Sequence, residues 1–597
     1  MYIKLYQIVV YVCLMATVVG AKAEEIELNE ISISANRVAT PLESVGSSVT
    51  VLTEEDISVS AESYVLDFIS KLPGVNISQN GPKGSTSNLT LRGLGLKYVK
   101  VLVDGIDIGD VSSIPVTANL SGMLLNEFER IEVLQGSQSA LYGSSAIGGV
   151  ISLTTKKAVG ESSSFSVEGG TYGTVSLKAG KTFSSDNSDI MVSGSYFTTD
   201  GFSAKADGVE NDGYSSSRMS ASGSYYISDK NSVSISMYKQ EEDGEQDGYD
   251  PISFAFVDKD DEVFTNESLG IGAGIEMNSG NIVRELNVSF FNTDRFYTGP
   301  YNYEGTNLEV SWQEERVLGE GSLIYGLMVD SEKTLVEGIS KEINQSHIFS
   351  EYIFTDEKKF SFTLSGRASG HSEFGGSSTA RLSASYKLDG GTILRSSLGS
   401  GYRAPSIYEL FAPYYGNSNL EPETSLTSDL GVQVPLALNK ASISATVFET
   451  TIADRIVYDY DTYAYGQSTV SEKRAGYEIG FDYKLNSNSN VNLSFSHTDD
   501  GQGNRVQKVP ENDFTLSVRT ELASGITLSG ALQSVSGLED FVLLPDYSIV
   551  SLRGSYPLTE DVDVYLRGEN VFDTQYQSAS DYGTSGRAFY TGFNAKF

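Results

Sequence analysis

Cysteine, tryptophan and histidine are nearly absent from this sequence. Its 597 residues include one cysteine, one tryptophan and three histidines. The histidines, His347, His371 and His497, lie far apart in strand-like segments. No nucleophile motif accompanies them, so the acid–base partner that a barrel protease or phospholipase needs is not supplied. We therefore predict that the protein is not an enzyme.

Basic residues and nucleotide-binding motifs are also scarce. The chain has 42 Lys and Arg against 78 Asp and Glu, a net charge of -36. Such an excess of negative charge argues against nucleic acid or an anionic lipid surface as partner. The segment "LKAGKT" ends like a P-loop, but Val175 stands where the first glycine is required.

The N-terminal residues 1–23 have the pattern of a secretory signal. Lys4 provides the positive charge, Ile8 to Val19 the apolar stretch, and Ala21-Lys22-Ala23 the cleavage site. Cys13, the only cysteine, would be removed with this segment, so an exported mature chain beginning at Glu24 could not rely on disulfides. The remaining sequence has no run of about 18 apolar residues, which excludes a transmembrane helix by this criterion.

Residues 158–597 repeat one pattern. Stretches of about ten residues alternate apolar with small or polar side chains, and turn residues separate them. In "RAFYTGFNAKF", Phe589, Phe593 and Phe597 share one face while Tyr590 and Lys596 share the other. A soluble β-sandwich has the same period, but the strands are too many for one sandwich. We predict a closed antiparallel transmembrane β-barrel of about 22 strands.

Residues 40–157 have a different character. Short strand patterns such as "SVTVLT", "KVLVDG" and "RIEVL" alternate with turns and with helical candidates such as "SQSALYG". This mixture predicts a compact α+β domain with its own core. It could fill the barrel as a plug or stand apart from it in the periplasm.

Several motifs together resemble the TonB-dependent outer-membrane receptors. They are "LPGVNISQNG", "LTLRGLG", "KVLVDGI", "FERIEVLQGSQSALYGSSAIGGVISLTTKK" and the terminal "LRGENVFDTQY" with "GRAFYTGFNAKF". The resemblance covers essentially all of the mature chain. It implies a multi-pass membrane all-β protein of the Gram-negative outer membrane, surrounded by lipid and lipopolysaccharide. It also implies a 22-stranded barrel with an N-terminal α+β plug inside, driven by TonB with ExbB and ExbD.

The resemblance places a TonB box in residues 24–39. An extended segment of alternating apolar residues can pair with an edge strand of a partner. The predicted box residues are Glu30, Ile31, Ser32, Ile33, Ser34, Ala35 and Asn36.

One motif departs from the family pattern. "LQGSQSA" places Gln135 and Ser137 where relatives have R-G-P. This puts in doubt a buried plug–barrel ion pair that many relatives make. Four other charged residues are predicted to form ion pairs within the plug or with the barrel: Arg92, Glu127, Glu129 and Arg130.

The ligand is inferred within the family. "GSGYRAPSIYELFAPYYGNSNLEPETS" and the short chain resemble the vitamin B12 (cobalamin) transporters, which implies uptake of cobalamin or a related corrinoid. No histidine lies in that segment, so haem is disfavoured. A ferric siderophore receptor is the alternative within the family, and a passive porin or surface adhesin is the alternative outside it. Carrying over the cobalamin-binding positions gives Thr86, Asn88, Gly95, Ser112 and Ser113.

Acidic segments suggest a cation site. Relatives that carry cobalamin order two extracellular loops around Ca²⁺, and clustered carboxylates on glycine-containing loops suit this ion. The matching segments are "ADGVENDGY" and "GYDPISFAFVD". The predicted ligands are Glu210, Asp212, Tyr249, Asp250 and Asp258, with Asp207 as a substitute where Ser203 replaces a family aspartate.

Overall fold

A computed structural model describes most of the chain after the predicted signal. The described residues are 31–32, 34–158, 160–299, 302–336, 338–356, 359–436 and 440–597. The predicted signal segment, together with Glu30 and Ile33 of the predicted TonB box, lies outside them. Among the described residues, no helix is long and apolar enough to span a bilayer.

Most of the chain forms one closed barrel of 22 antiparallel strands. Neighbours in sequence are neighbours in the wall, and the first strand pairs with the last through Phe165 and Ala595. The wall strands in the first half are β13 Ser162–Gly170, β14 Val175–Ser185, β15 Ser188–Phe202, β16 Asp212–Ser228, β17 Asn231–Glu245, β20 Val263–Asn278, β21 Ile282–Tyr297, β22 Asn302–Leu318, β23 Gly321–Val336, β24 Ile339–Thr355 and β25 Phe360–His371. Those in the second half are β26 Gly375–Lys387, β27 Ile393–Arg403, β28 Glu423–Leu436, β29 Ala441–Ala453, β32 Glu472–Asn486, β33 Ser489–Asp499, β34 Asn512–Glu521, β35 Thr527–Ser536, β36 Tyr547–Pro557, β37 Val562–Glu569 and β38 Ala588–Lys596.

The two ends of the barrel differ in their connections. One end has short turns, such as residues 186–187 and 229–230, while the other has all of the long connections, such as residues 246–262 and 404–422, together with a few short ones. The long connections carry two hairpins, β18 Gly248–Tyr249 with β19 Phe256–Val257 and β30 Ile456–Asp459 with β31 Ala464–Gln467, and the helix α4 Ile407–Phe411. Outer-membrane barrels have short periplasmic turns and long extracellular loops. The long connections are therefore the extracellular end.

The wall follows the predicted alternation. In β38, Phe589 and Phe593 are exposed on the outer surface, whereas Tyr590 between them is buried inside. In β25, Leu364 is exposed while Thr363 and Ser365 are buried. An apolar outer face suits lipid, and a polar inner face suits a hydrated or protein-filled lumen.

The lumen is filled by the N-terminal domain. Its strands are β1 Ile31–Ser32, β2 Thr40–Pro41, β3 Val49–Thr53, β4 Val75–Gln79, β5 Ser87–Leu91, β6 Leu94–Gly95, β7 Val99–Val103, β8 Ile106–Asp107, β9 Gly109–Asp110, β10 Thr117–Ala118, β11 Phe128–Gln135 and β12 Gly149–Thr155. Its helices are α1 Glu54–Val59, α2 Val65–Ile69 and α3 Ser139–Tyr142. The central sheet has the order β3-β11-β12-β7-β8, and β4-β5-β6 form a second sheet. Local chemistry supports these elements: a reciprocal capping box between Thr53 and Asp56 starts α1.

The plug has an apolar core that reaches the barrel wall. Leu89, Val101 and Ile131 are buried at its centre. Tyr238 and Phe291 of the wall belong to the same cluster. The plug is therefore packed against the barrel rather than standing apart in the periplasm.

Candidate functional site

The extracellular side of the plug is formed by two loops, here called the plug apex, residues 79–88 and 109–118. The first loop lies against the β15–β16 connection, where Gly81 approaches Ala204, and against the start of β16, where Gly84 faces the ring of Tyr214. Gly84 has a φ of +87, and a Cβ atom at this position would clash with that ring. Glycine is therefore required both for the backbone conformation and for the close approach.

The predicted ligand residues of the apex have different environments. Thr86 is exposed, and Asn88 is half-buried beside Gly95. Ser112, by contrast, is fully buried, and its Oγ and backbone N–H both donate to Asp110 Oδ1, at 2.6 and 2.7 Å. Ser113 Oγ donates to the Asp110 carbonyl at 2.7 Å. Thr86 and Asn88 are thus available to a ligand, whereas the two serines hold the second loop in shape.

Several basic side chains at the apex and at the nearby mouth have carboxylate partners. Arg295 Nε lies 2.6 Å from Asp110 Oδ2, and its Nη2 donates to Ser112 Oγ at 3.3 Å. Further pairs are Lys83 with Asp67, Lys97 with Glu423 at 3.7 Å, and Arg455 and Arg474 with Glu472. These cations are already neutralised and offer little attraction to a strongly anionic ligand.

Three carboxylates meet where the β15–β16 and β17–β20 connections touch. Glu210, Asp247 and Asp258 each place one oxygen within 4.8 Å of the others. Ser203 Oγ joins two of them, at 3.3 Å from Asp247 Oδ2 and 3.1 Å from Asp258 Oδ1. We call Glu210, Asp247 and Asp258 the acidic cluster.

Within the acidic cluster, Glu210 is surrounded by other carboxylates. Burial and the neighbouring Asp212 raise the pKa of Glu210 to about 8. Among the described residues, its Oε1 is buried without a hydrogen-bond partner, as is Oδ1 of Asp212. Asp258 differs, because the backbone N–H of Val209 donates to it at 2.9 Å and lowers its pKa. Oxygens left unsatisfied beside one another are suited to a hard divalent cation.

The structure separates the predicted cation ligands. Glu210 and Asp258 lie in the acidic cluster, and the buried Asp212 lies close by, accepting a hydrogen bond from Ala204 N at 2.6 Å. Asp250 instead accepts hydrogen bonds within its own turn, from Ser253 N at 2.7 Å and Ser253 Oγ at 2.9 Å.

Two further predicted positions are not among the three grouped carboxylates. The Tyr249 ring packs against Phe256, and Asp207 pairs with Lys205. Asp247 was missed in the sequence, although it belongs to the acidic run "KQEEDGEQDGYDP". Its burial and the N–H groups of Lys205 and Lys259, at 2.6 and 2.7 Å, fix it in the cluster. Only the folded loop distinguishes it from its acidic neighbours.

Arg92, one of the charged residues predicted to form ion pairs, joins the plug to the barrel through a buried ion pair that does not involve the "LQGSQSA" segment. Arg92 donates two hydrogen bonds to Glu478, at 2.8 Å each, and pairs with Asp429. Burial opposes the charge, but the two carboxylates raise the pKa of Arg92 above its usual value. Gln135 and Ser137 serve other contacts: Gln135 Nε2 donates to the Pro73 carbonyl and Ser137 Oγ to the Ser400 carbonyl.

The other predicted plug charges have mixed roles. Glu127 contacts the barrel through Arg218 at 3.3 Å and Ser195 Oγ at 2.6 Å. Arg130 pairs within the plug, with Glu132 at 2.8 Å. Glu129 accepts a hydrogen bond from the backbone N–H of Lys157.

The described part of the predicted TonB box is folded into the barrel at its periplasmic end. Ile31–Ser32 pairs with Thr40–Pro41 in a short antiparallel ladder. Ser32 Oγ, Ser34 Oγ and Ser34 N all donate to Glu132 Oε2, at 2.7, 2.5 and 3.0 Å. Ala35 and Asn36 are buried. In this state the segment is bound to the plug and is not an open strand edge.

Two family models match the chain. The TonB dependent receptor-like beta-barrel model matches residues 156–571, and the TonB-dependent Receptor Plug Domain model matches residues 41–150.

Solved structures share the whole fold at low identity. The siderophore receptor PirA from Acinetobacter baumannii is 18% identical, with a TM-score of 0.78 over 93% of this chain and 99% of that one. A mutant of the ferric enterobactin receptor PfeA from Pseudomonas aeruginosa, in complex with enterobactin, is 17% identical, with a TM-score of 0.78 over 92% and 99%. The FpvAI–pyocin S2 complex is 16% identical, with a TM-score of 0.78 over 95% and 90%. With both family models matched in order, the chain belongs to the TonB-dependent receptors, transporters that cross the Gram-negative outer membrane with the strands of a plugged barrel.

Proposed function

We propose that this TonB-dependent receptor imports a bulky metal chelate that carries no net negative charge. The observation that carries the proposal is the pairing of the basic residues around the plug apex, where Arg295 is engaged by Asp110 and Lys97 by Glu423. Thr86 and Asn88 add neutral hydrogen-bonding groups. A large neutral ligand is held by many modest contacts of this kind rather than by one strong charge.

A neutral ferric siderophore is the first candidate. The solved structures with the same fold include receptors whose titles name siderophores, which favours the siderophore alternative over the cobalamin interpretation of the sequence. Ferric tris-catecholates are strongly anionic and would meet paired cations and acidic loops at this mouth. A neutral ferric hydroxamate avoids that repulsion.

Cobalamin or a related corrinoid is the second candidate. It is favoured by the acidic cluster on the two connections that resemble the loops of cobalamin transporters. Cobalamin is close to neutral, and its polar rim suits the hydroxyl and amide groups of the apex.

Binding to the purified protein tests the proposal. Ferrichrome as a neutral ferric hydroxamate, cyanocobalamin and ferric enterobactin are titrated separately, in excess Ca²⁺ and after chelation. We expect one of the two neutral chelates to bind and ferric enterobactin to bind at least tenfold more weakly, which is about 1.4 kcal/mol. Preferential binding of ferric enterobactin would refute the proposal, and so would no binding of either neutral chelate.

We also propose that the acidic cluster holds Ca²⁺. Glu210, Asp247 and Asp258 supply oxygen ligands from two connections, and the unpartnered oxygens of Glu210 and Asp212 match the need of a hard cation. The ion would join the β15–β16 and β17–β20 connections and so order the mouth next to the plug apex. The role of the ion would be structural, because holding two connections together requires no reaction at the ion.

The coupling partner follows from the family. We propose that the segment containing Ile31 to Asn36 is released from Glu132 and pairs with TonB, with ExbB and ExbD behind it. Pairing by strand addition requires free backbone groups, which the hydrogen bonds to Glu132 now occupy in part. Outer-membrane lipid and lipopolysaccharide would surround the wall.

A further inference from the structure

Tyrosine is concentrated in two of the long extracellular connections. Residues 404–422 contain three tyrosines and residues 454–471 contain four. The latter four all lie in the hairpin formed by β30 and β31, residues 456–467, which we call the tyrosine hairpin. None of the seven belongs to the plug apex or to the acidic cluster, so they form a separate feature of the mouth.

The rings of the tyrosine hairpin are arranged around Tyr458. The Tyr458 ring centroid lies 6.1 Å from that of Tyr415, 5.2 Å from that of Tyr460 and 5.4 Å from that of Tyr465, with interplanar angles of 61°, 79° and 74°. In such edge-to-face contacts the edge of one ring meets the face of another. Tyr460 is 79% exposed and Tyr463, near the tip, is 66% exposed. Aromatic surface therefore remains open to solvent at the tip.

The tyrosine hairpin is held in place by the neighbouring connection. Tyr465 N donates to the Tyr415 carbonyl at 2.8 Å, and Asn417 Nδ2 donates to the Tyr465 carbonyl at 3.0 Å. At the base of the hairpin, Ile456 is buried and its N–H donates to Glu423 Oε1 at 2.8 Å. A ligand would meet rings that are already in position, which reduces the entropy lost on binding.

Two of the exposed tyrosines have an unusual backbone conformation. The φ angle is +54 at Tyr463 and +71 at Tyr414. This region is costly for a bulky side chain and is usually occupied by glycine or asparagine. Packing does not compensate for the cost, because these side chains are exposed. Strained residues of this kind are concentrated at binding sites, so the conformation favours a role of these tyrosines in binding.

The tyrosine hairpin combines neutral rings with a negative charge. Asp459 Oδ1 and Oδ2 accept hydrogen bonds from the backbone N–H of Asp461 and the hydroxyl of Thr462, each at 2.9 Å, and these donors lower the pKa of Asp459. Burial and then the neighbouring Tyr415 raise the pKa of Tyr458. At neutral pH the phenols are therefore uncharged and Asp459 is a carboxylate. Aromatic faces beside a carboxylate are complementary to an organic cation.

We propose that the tyrosine hairpin binds an organic cation, an alkylammonium or guanidinium group held by the ring faces of Tyr460 and Tyr463 and by the charge of Asp459. Two cations of the protein near this region are engaged elsewhere, Arg455 by Glu472 and Lys341 over the ring of Phe411. The cationic group can belong to a free small molecule or to a side chain of a peptide. The site is separate from the chelate site and does not rest on the proposed function.

Pairs of ligands with the same shape test the charge requirement. Choline is compared with its neutral isostere 3,3-dimethyl-1-butanol, and an arginine tetrapeptide with the citrulline tetrapeptide. Binding to the purified protein is followed by ligand-observed NMR in excess Ca²⁺, which screens the acidic loops. We expect at least one cationic probe to bind about tenfold more tightly than its neutral counterpart.

The two pairs also distinguish the source of the cation. Binding of choline indicates a free small cation, and binding of the arginine peptide alone indicates a cationic side chain. Equal affinities within both pairs, or no binding of either cationic probe, would overturn the proposal.

Variants of the hairpin test the location. Because Tyr460 and Tyr463 are exposed, replacing them should not affect folding. We expect the double variant Tyr460→Leu/Tyr463→Leu to bind the cationic probe about tenfold more weakly, and Tyr460→Phe/Tyr463→Phe to bind it as the wild type does, because the ring faces are kept. Asp459→Asn keeps an acceptor for the N–H of Asp461 but should weaken binding and reduce its dependence on salt.

A tyrosine on another extracellular hairpin provides the matched control. Tyr249 is 59% exposed on the β18–β19 hairpin and precedes Asp250, so Tyr249→Leu removes an exposed ring beside a carboxylate elsewhere at the mouth. This variant should bind the cationic probe as the wild type does. An equal loss in Tyr249→Leu and in the double leucine variant would show general attraction to acidic loops and would overturn the site.

Discussion

At the scale of single residues, the buried Arg92 illustrates how plug and barrel are joined. Its guanidinium contacts two carboxylates from different wall strands, Asp429 of β28 and Glu478 of β32, and stacks over Phe448 at 4.7 Å. All three charges are removed from water. Each depends on the others, because an unpaired buried charge is far more costly than the intact group.

Removing Arg92 should destabilise the plug strongly. We expect Arg92→Met to lower plug stability by about 3–5 kcal/mol, because Asp429 and Glu478 would remain buried without a counter-charge. The measurement is the plug transition in scanning calorimetry of the detergent-solubilised protein. The matched control is Arg519→Met, which breaks a plug–barrel pair with the exposed Glu55 and should cost about 1 kcal/mol or less. Equal losses in the two variants would contradict this account.

The acidic cluster allows a second test with two neighbouring aspartates. We expect Asp247→Asn to weaken Ca²⁺ binding at least tenfold, or about 1.4 kcal/mol, because a cluster carboxylate is neutralised. Asp250→Asn should leave affinity nearly unchanged, because Asp250 is occupied by Ser253. Calorimetric titration with Ca²⁺ measures both. A larger loss of Ca²⁺ affinity in the Asp250→Asn variant would show that Asp250, as predicted from the sequence, is a ligand and that Asp247 is not.

Residue-level roles in the loops could be predicted only in part. Composition and resemblance located the acidic segments, and Glu210 and Asp258 lie in the cluster. Whether Asp247 or Asp250 joins them depends on how the β17–β20 connection folds. That path is set by the β18–β19 hairpin and by backbone donors such as Lys259 N, which have no local sequence signature.

At the scale of elements, Glu132 is one of the main attachments of the N-terminal segment, alongside the Tyr142 hydroxyl, which donates to the Ser34 carbonyl at 2.8 Å. Glu132 Oε2 accepts three hydrogen bonds from Ser32 and Ser34, and Arg130 binds its other oxygen at 2.8 Å. Although burial acts in the opposite direction, these donors lower the pKa of Glu132. The carboxylate form is therefore the one that holds the segment.

Glu132→Gln should release the segment. We expect faster proteolysis between the N-terminus and Thr40, because the hydrogen bonds from Ser32 and Ser34 to the charged carboxylate are lost. Each such bond contributes at most about 3 kcal/mol to stability. The same release should occur in the wild-type protein at low pH. A carboxyl with a lowered folded pKa contributes stability above its unfolded value, about 4.3, and loses it as pH falls through the folded pKa. The comparison is protection from an acid-active protease between pH 6 and pH 3.

The Glu132→Gln variant provides the control for the pH effect. It should show fast cleavage at both pH values, since it has no carboxyl at position 132 to titrate. A variant that kept the wild-type pH dependence would show that another group holds the segment. Plug stability, followed by calorimetry, separates local release from unfolding of the whole domain.

The wall strands and the main plug strands were more predictable than the short elements of the long connections. Period-two alternation identified wall strands such as β38, and the plug segments "SVTVLT" and "RIEVL" form β3 and β11. The sequence did not predict β18, β19, β30, β31 or α4 within the long connections. These are short elements held by contacts from elsewhere in the fold, such as Tyr408 of α4 against Tyr465 of β31, and local patterns carry little information about them.

At the scale of the whole molecule, the plug closes the barrel and its movement can be blocked. A Cβ at Gly399 of β27 would lie 3.3 Å from Cβ of Ser137 in the plug, close to disulfide geometry. We expect the oxidised Ser137→Cys/Gly399→Cys variant to keep the barrel closed in urea that opens the wild-type protein. Conductance in planar bilayers is the readout.

Reduction of the cross-link is the control for that experiment. Dithiothreitol should return the urea-dependent conductance to the wild-type level, and neither single-cysteine variant should stay closed. If the cross-linked protein conducts in urea as readily as the wild type does, the lumen opens without movement of the plug at this point.

The seam between β13 and β38 imposes an order of events on assembly. These strands pair from Ser164 with Lys596 to Gly170 with Tyr590, so nearly the entire wall intervenes in sequence between the two partners. Pairings of such long range form slowly, after local ones. Hairpins of the wall can form as the chain emerges, but the ring cannot close until β38 is present. Because the plug leads directly into β13, it is already at the seam when the ring closes. The plug can therefore be enclosed as the barrel closes and need not enter a finished barrel.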